Sequence, residues 1–123
     1  MNGVGIDLLE IGRLERALER RPRLADRLFT GAELAEARSR RRPGRHLAAR
    51  FAAKEAAIKA LGERFAPVEI EVEGGGDEAP RLRLHGRASA HAAQCDVDLT
   101  VSLTHSRELA AAVVLSSRRS ARR

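Results

Sequence analysis

The sequence predicts a single domain that combines α-helices with β-strands, and three observations support this. The chain has 123 residues, 43% of them hydrophobic and 33% charged, a balance that fits one globular domain. Residues 46–61 carry an apolar stripe at helical spacing, and several shorter segments alternate apolar with polar residues as strands do. We therefore expect one folded domain over 1–115 and a basic, flexible tail over 116–123.

The first half of the chain is predicted to form one strand and four helical segments. The apolar run Val4–Leu9 is interrupted by Asp7, which predicts a buried strand ending near that carboxylate. Thr30 and Glu33 have the spacing of a capping box, and Gly62 is a typical helix stop. The helical segments, separated by Pro22, a short break and a basic loop over 39–45, are 11–21, 23–29, 30–38 and 46–61.

The second half is predicted to contain four strands and one helix. Three consecutive glycines, Gly74–Gly76, indicate a turn between the first two strands, and the alanine-rich segment 86–94 indicates the helix. His105 is expected to end the third strand. The predicted strands are 68–73, 81–84, 99–104 and 109–115.

Composition indicates a cytoplasmic protein with an acidic partner. The apolar residues are largely alanine and include only three aromatics, so we expect part of the apolar surface to be buried between subunits. The chain has one cysteine, no signal-peptide pattern and no apolar run long enough to span a membrane. The net charge is +6, and of the 23 basic residues only Lys54 and Lys59 are lysines.

Two carboxylates are candidates for a metal site on residue type alone. Asp7 in the first strand and Glu55 on the long helix could hold Mg²⁺, which commonly binds one or two carboxylates together with substrate phosphates. An alternative is that Glu55 pairs with Lys59 one helical turn later. Lys54 falls inside the apolar arc of the helix, where its stem could pack while its amine reaches water. His105 could be a phosphate ligand or a proton carrier, or it could be a structural residue.

Several segments together resemble the phosphopantetheinyl transferase family, in its short, single-module holo-acyl-carrier-protein synthase type. The central pair is Gly5-Ile6-Asp7 followed by the segment 51–59, FAAKEAAIK. The resemblance covers nearly the whole chain. It continues through 28–30 with Glu33, 69–72, 80–84, and 101–105 with 110–114.

The resemblance implies an α+β fold, with a small antiparallel sheet and packed helices, that assembles as a homotrimer and binds coenzyme A between subunits. It implies that Asp7 and Glu55 hold Mg²⁺ and that Glu55 accepts the proton of the carrier serine, directly or through water. Lys59 and His105 are the other implied catalytic residues. The implied contacts of coenzyme A are Arg50, Lys54, Lys59 and His105.

The resemblance also implies that the partner is an acyl carrier protein, whose acidic helix would meet arginines near the first helix. Arg13 is the best match, and Arg20 and Arg23 are further candidates. Such contacts mainly raise the encounter rate and select the partner. Neither a membrane nor a nucleic acid is expected as a partner.

One segment departs from the family pattern: the link from Gly62 to Glu69 is shorter than usual and lacks the common glycine-rich turn. Because this segment lies near the pantetheine arm in the family, the shortening could change which acylated forms of coenzyme A are accepted. It also motivates one alternative, a catalytically silent trimeric relative. A second alternative is a basic nucleic-acid-binding module, although aromatic residues for base stacking are scarce.

Overall fold

The computed structural model describes residues 2–120 and shows an α+β fold. A 3₁₀ turn over Pro67–Glu69 precedes the second strand. The strands are β1 (Gly3–Glu10), β2 (Ile70–Gly75), β3 (Glu78–Leu84), β4 (Val97–His105) and β5 (Leu109–Arg118). The helices are α1 (Ile11–Arg20), α2 (Leu24–Leu28), α3 (Gly31–Arg38), α4 (Pro43–Leu61) and α5 (Gly86–Cys95). Within residues 2–120, no helix is both long and apolar enough to cross a bilayer.

The strands form two antiparallel sheets where the sequence predicts one small sheet. β5 lies between β1 and β4 in a three-stranded sheet, and β2 and β3 form a separate hairpin around the three glycines. In the larger sheet Ala112 of β5 pairs with Asp7 on one side and with Leu103 on the other. Asp7 and Leu103 therefore point to the same face of that sheet.

Helix α4 packs on this inner face of the three-stranded sheet and forms the centre of the core. Its buried side chains include six alanines, which are short enough to let neighbouring elements approach closely. Gly62, with a φ of 77°, ends the helix as predicted. The helix begins earlier than expected, because Pro43 occupies its first turn, where the missing N–H costs nothing.

The outer face of the three-stranded sheet differs from the prediction of a buried first strand. Val4, Ile6 and Leu8 are each more than 60% exposed, and β1 continues past Asp7 to Glu10. In β5 Val113 and Leu115 pair with Ile6 and Val4 and extend the same apolar face. Exposure therefore alternates along β1: one face of the strand is covered by α4 and the other is exposed. The apolar run of the sequence contains residues from both faces.

β5 takes in the first three residues of the segment 116–123, which the sequence predicts as a tail. β5 continues through Arg118, and Ser116 is buried between Gly3 and Leu99, with which it pairs. The strand is longer than its apolar run because pairing with β1 and β4 satisfies the backbone there, whatever the side chains are. Residues 121–123 lie outside the described part of the chain.

Two predictions in the helical region are confirmed by local geometry. Thr30 Oγ1 accepts a hydrogen bond from the Glu33 amide at 3.2 Å, while Glu33 Oε1 accepts one from the Thr30 amide at 2.8 Å. This is the predicted capping box, and it holds the Glu33 side chain at the start of α3. Short helix α2 ends at Leu28, within the predicted segment.

Candidate active site

The site begins with an unusually close contact between β1 and α4. A Cβ atom on Gly5 would lie 1.9 Å from the Ala56 carbonyl oxygen, and one on Gly3 would lie 2.5 Å from the Ala60 carbonyl oxygen. Only glycine at these positions lets the strand lie directly on the helix backbone. Asp7 follows Gly5 on the same face of the strand and is thereby placed against α4.

Lys59 joins the strand to the helix at this contact. Its Nζ donates to the Ile6 carbonyl oxygen at 2.9 Å and lies 3.3 Å from Asp7 Oδ1. The Asp7 side chain is 19% exposed, whereas that of Lys59 is 54% exposed. The ammonium therefore sits at the surface of a partly sheltered carboxylate, where an incoming anion can reach it.

Glu55 lies one helical turn before Lys59 and has a different partner. Its Oε2 is 3.4 Å from Arg64 Nη1, and its side chain is 20% exposed. No ion pair between Glu55 and Lys59 forms in the described part of the chain. The alternative that these two residues simply pair with each other across one helical turn is therefore wrong.

The two carboxylates suit Mg²⁺ as part of its ligand set. Both offer oxygen ligands at the surface, and each is already matched by one cation, which shows that the site stabilises positive charge there. Among residues 2–120 no group of three or more metal-ligating side chains occurs. Remaining ligands would have to come from water and from substrate phosphates, as is usual for Mg²⁺.

A separate cleft of about 350 Å³ is lined by arginines and by His105. Arg50 is nearly buried, donates to the Gly74 carbonyl oxygen and has an Nε with no partner in residues 2–120. His46 Nε2 likewise has no partner there. Burial, with Arg50 and Arg40 nearby, lowers the pKa of His46 to about 4. The cleft is therefore positively charged, without contribution from His46 at neutral pH.

His105 and Asp7 lie on the same face of the three-stranded sheet. Ala110 pairs with both Leu9 and His105, two residues along from the Asp7–Ala112–Leu103 row. Strand spacing and rise place the Cα atoms of Asp7 and His105 roughly 12 Å apart. The two residues stand on β1 and β4, at opposite edges of that sheet, so the carboxylates and the arginine-lined cleft are separate regions of the chain.

The arginines of the cleft are a part of the site that sequence reasoning missed. Arg40, Arg41, Arg42 and Arg45 line it, yet their segment is predicted only as a basic loop. The signal was present, because a run of arginines beside the long helix is typical of an anion-binding surface. What the sequence could not show is that this run faces His105, which is some 60 residues away.

Lys54 does not belong to an open site. Its side chain has no exposed surface, and its Nζ donates to Glu33 Oε1 at 2.8 Å and to the carbonyl oxygens of Pro67 and Ile70. Burial lowers the pKa of Lys54, and the Glu33 carboxylate opposes this shift. The expectation that Lys54 reaches water is wrong, and a contact with coenzyme A is incompatible with three partners inside the core.

The arginines expected to meet a carrier protein lie on an exposed surface of α1 and just beyond its end. Ile11 and Leu14 bury the opposite side of the helix, while Arg13, Arg20 and Arg23 are exposed. None of these three forms an ion pair within the described residues. Arg16, which sequence reasoning did not single out, lies on the same helical face as Arg13 and Arg20.

This fold and site define the class of the protein. The family model of the 4′-phosphopantetheinyl transferase superfamily matches residues 3–114, and the chain belongs to that superfamily. The resemblance found in the sequence is thus confirmed.

Particular relatives narrow the comparison to one type of transferase. The holo-[acyl-carrier-protein] synthase of Moorella thermoacetica is 51% identical over 117 residues, which cover 90% of each chain. That of Streptomyces griseus is 50% identical and covers 93% of this chain and 96% of its own. A solved structure, described as a Chronobacterium ammoniagenes ACPS–CoA complex, is similar with a TM-score of 0.85 at 30% identity. The match covers 98% of this chain and 99% of that one.

Proposed function

We propose that this chain transfers 4′-phosphopantetheine from coenzyme A to a serine of an acyl carrier protein, yielding holo-carrier protein and adenosine 3′,5′-bisphosphate. The observation that carries the proposal is the contact of β1 with α4, which places Asp7 and Lys59 together with Glu55 one turn away. The names of the relatives, and the coenzyme A complex formed by one structurally similar protein, support the same reaction.

Asp7 and Glu55 would hold Mg²⁺ in this proposal. When bound, the ion would neutralise charge on the diphosphate of coenzyme A. Lys59, at the surface of Asp7, would contact a phosphate oxygen and stabilise charge on the group being transferred. Glu55 would accept the proton as the serine oxygen attacks the phosphorus attached to pantetheine. The phosphoanhydride bond breaks, and the bisphosphate leaves with the bonding electrons.

The arginine-lined cleft is the proposed nucleotide site. Arg50 and His105 lie in its wall, and the unpartnered Nε of Arg50 leaves one buried donor for an anionic oxygen. Lys54 has no part in this site and supports α4 from inside the core. Binding of coenzyme A in this cleft would account for part of the arginine content without a nucleic-acid partner.

Arg13, Arg20 and Arg23 form the proposed docking surface for the acidic carrier protein. All three are exposed and free of ion pairs in the part of the chain that the structure describes. Charges placed in this way raise the encounter rate and are screened by salt.

A homotrimer in the cytoplasm completes the proposal. The outer sheet face, made of Val4, Ile6 and Leu8 with Val113 and Leu115 beside them, is an apolar surface suited to contact between subunits. Analytical ultracentrifugation at micromolar concentration should show three chains per particle. A monomer over the whole concentration range would contradict the trimer. The single cysteine is consistent with a reducing compartment.

The proposed site is tested by three substitutions in a carrier-modification assay read by mass spectrometry. Asp7→Ala and Glu55→Gln should each lower the rate by on the order of a hundredfold or more, because each removes a metal ligand. Lys59→Arg keeps the charge but replaces a compact ammonium with a broad planar group, and should also lose activity. Asp26→Asn, which changes an exposed carboxylate on α2, is the matched control and should retain wild-type activity.

A further inference from the structure

The shortened link after α4 places a second cation at the carboxylate pair. Arg64 lies near the start of this link, two residues after Gly62. Its Nη1 is 3.4 Å from Glu55 Oε2, and its side chain is 73% exposed. Together with the contact between Lys59 and Asp7, this gives each of the two carboxylates one surface cation.

The backbone around Arg64 is held on both sides, so its side chain starts from a fixed position near Glu55. On one side the Gly62 amide donates to the Ile58 carbonyl oxygen at 3.0 Å and caps the helix. On the other side Phe65 is buried and its ring lies 5.4 Å from that of His91. The Ala66 amide donates to Glu69 Oε2 at 3.0 Å and fixes the next residue. The side chain of Arg64 can therefore move while its Cα stays in place.

We infer that Arg64 is a substrate-binding residue that exchanges its contact with Glu55 for one with the coenzyme A diphosphate, an inference that rests on the proposed function. Oxygens bound to one Mg²⁺ lie within about 4 Å of each other, because each Mg–O distance is about 2.1 Å. If Glu55 and the diphosphate held one Mg²⁺ between them, a guanidinium already at Glu55 would reach the phosphate oxygens by side-chain rotation. Guanidinium is also suited to bind phosphate with two parallel hydrogen bonds.

The charges at the site favour movement of Arg64 from Glu55 to the diphosphate once coenzyme A and the metal are bound. Two carboxylates are neutralised by a divalent cation, and the diphosphate then adds two negative charges. Lys59 cancels one of them, and Arg64 is the second cation at the pair. Before substrate arrives, the same arginine competes with the metal for Glu55. Metal binding alone and coenzyme A binding should therefore respond to its removal in opposite directions.

The experiment measures both affinities for Arg64→Gln by isothermal titration calorimetry, with Mn²⁺ alone as the metal probe and then with coenzyme A in saturating Mg²⁺. The Mn²⁺ Kd should fall about two- to fivefold, since an exposed ion pair no longer competes. The coenzyme A Kd should rise by about tenfold, which corresponds to about 1.4 kcal/mol. Arg64→Lys retains the charge and should recover most of the affinity for coenzyme A.

Arg83→Gln is the matched control, because Arg83 is 66% exposed and lies 3.5 Å from Glu73 in a comparable ion pair. It should leave both affinities unchanged. Equal Kd values for wild type and Arg64→Gln, or a loss of both affinities with a lowered melting temperature, would overturn the role of Arg64 while leaving the proposed reaction intact. Failure of the wild-type protein to bind coenzyme A would overturn the proposed function itself, and this inference with it.

Discussion

Replacing Gly5 with alanine should separate β1 from α4. It should inactivate the site although no side chain proposed to bind or react is changed. The new Cβ would lie 1.9 Å from the Ala56 carbonyl oxygen, whereas ordinary contacts begin at 3.4 Å. The strand must therefore move by about 1.5 Å, against backbone atoms that cannot rotate away. Overpacking of a core typically costs about 1–3 kcal/mol. Because backbone is the obstacle here, we expect a loss near the upper end, about 3 kcal/mol in the free energy of unfolding.

The same movement should affect catalysis more than folding. Lys59 Nζ is 2.9 Å from the Ile6 carbonyl oxygen and 3.3 Å from Asp7 Oδ1, and a shift of about 1.5 Å breaks both contacts. Misplacement of reacting groups by about 1 Å can cost a hundredfold in rate.

Urea unfolding at a fixed protein concentration and the carrier-modification rate are the two measurements for Gly5→Ala. Gly31→Ala is the control, since a Cβ there meets nothing within 4 Å and alanine favours the helix that begins at this residue. It should be neutral or stabilising. A Gly5→Ala variant within about 0.5 kcal/mol of wild type, with full activity, would refute the close-contact account.

Three further predictions concern the core, the cleft and the carrier surface. Lys54→Met leaves Glu33 buried without its cation and should lower the free energy of unfolding by about 3–5 kcal/mol in urea, with partial recovery on adding Glu33→Gln; a fully stable single variant would contradict this. His46 has a pKa of about 4 in the folded protein, compared with 6.5 normally. As the pH falls, the unfolded chain therefore binds a proton at His46 before the folded protein does. Stability should therefore fall by about 2.5 kcal/mol as pH drops from 6.5 to 4, and thermal unfolding of His46→Gln should show a smaller pH dependence; identical pH profiles would contradict the assignment. Arg13→Glu should raise the KM for the carrier by about tenfold in steady-state assays and leave that for coenzyme A unchanged, whereas equal effects on both would indicate a general defect.

Elements whose determinants are local were predicted well from the sequence. The capping box of Thr30 and Glu33, the stop at Gly62 and the alternation in β2 to β4 each depend on neighbours a few residues apart. Pattern and propensity act over that range, so the residues themselves indicate the structure.

Features that depend on distant partners could not be predicted in the same way. The apolar arc of α4 indicates that Lys54 faces inward. It does not show that Lys54 donates hydrogen bonds there to Glu33 and to two carbonyl oxygens. The spacing along α4 predicts an ion pair between Glu55 and Lys59. In the structure Lys59 pairs instead with Asp7 of β1, and Glu55 pairs with Arg64 of the link. The outer face of β1 was predicted to be buried because an apolar run has the same composition whether its side chains are buried or exposed.

Intact-mass spectrometry of an acyl carrier protein, incubated with this protein, coenzyme A and Mg²⁺, tests the central claim most directly. We predict that the carrier gains the mass of one phosphopantetheine group on its serine, that adenosine 3′,5′-bisphosphate appears in equal amount, and that chelation stops both. Glu55→Gln, folded and in the same oligomeric state as the wild type, should reduce the rate by on the order of a hundredfold or more. An unmodified carrier with wild-type protein, or wild-type activity in Glu55→Gln, would contradict the account.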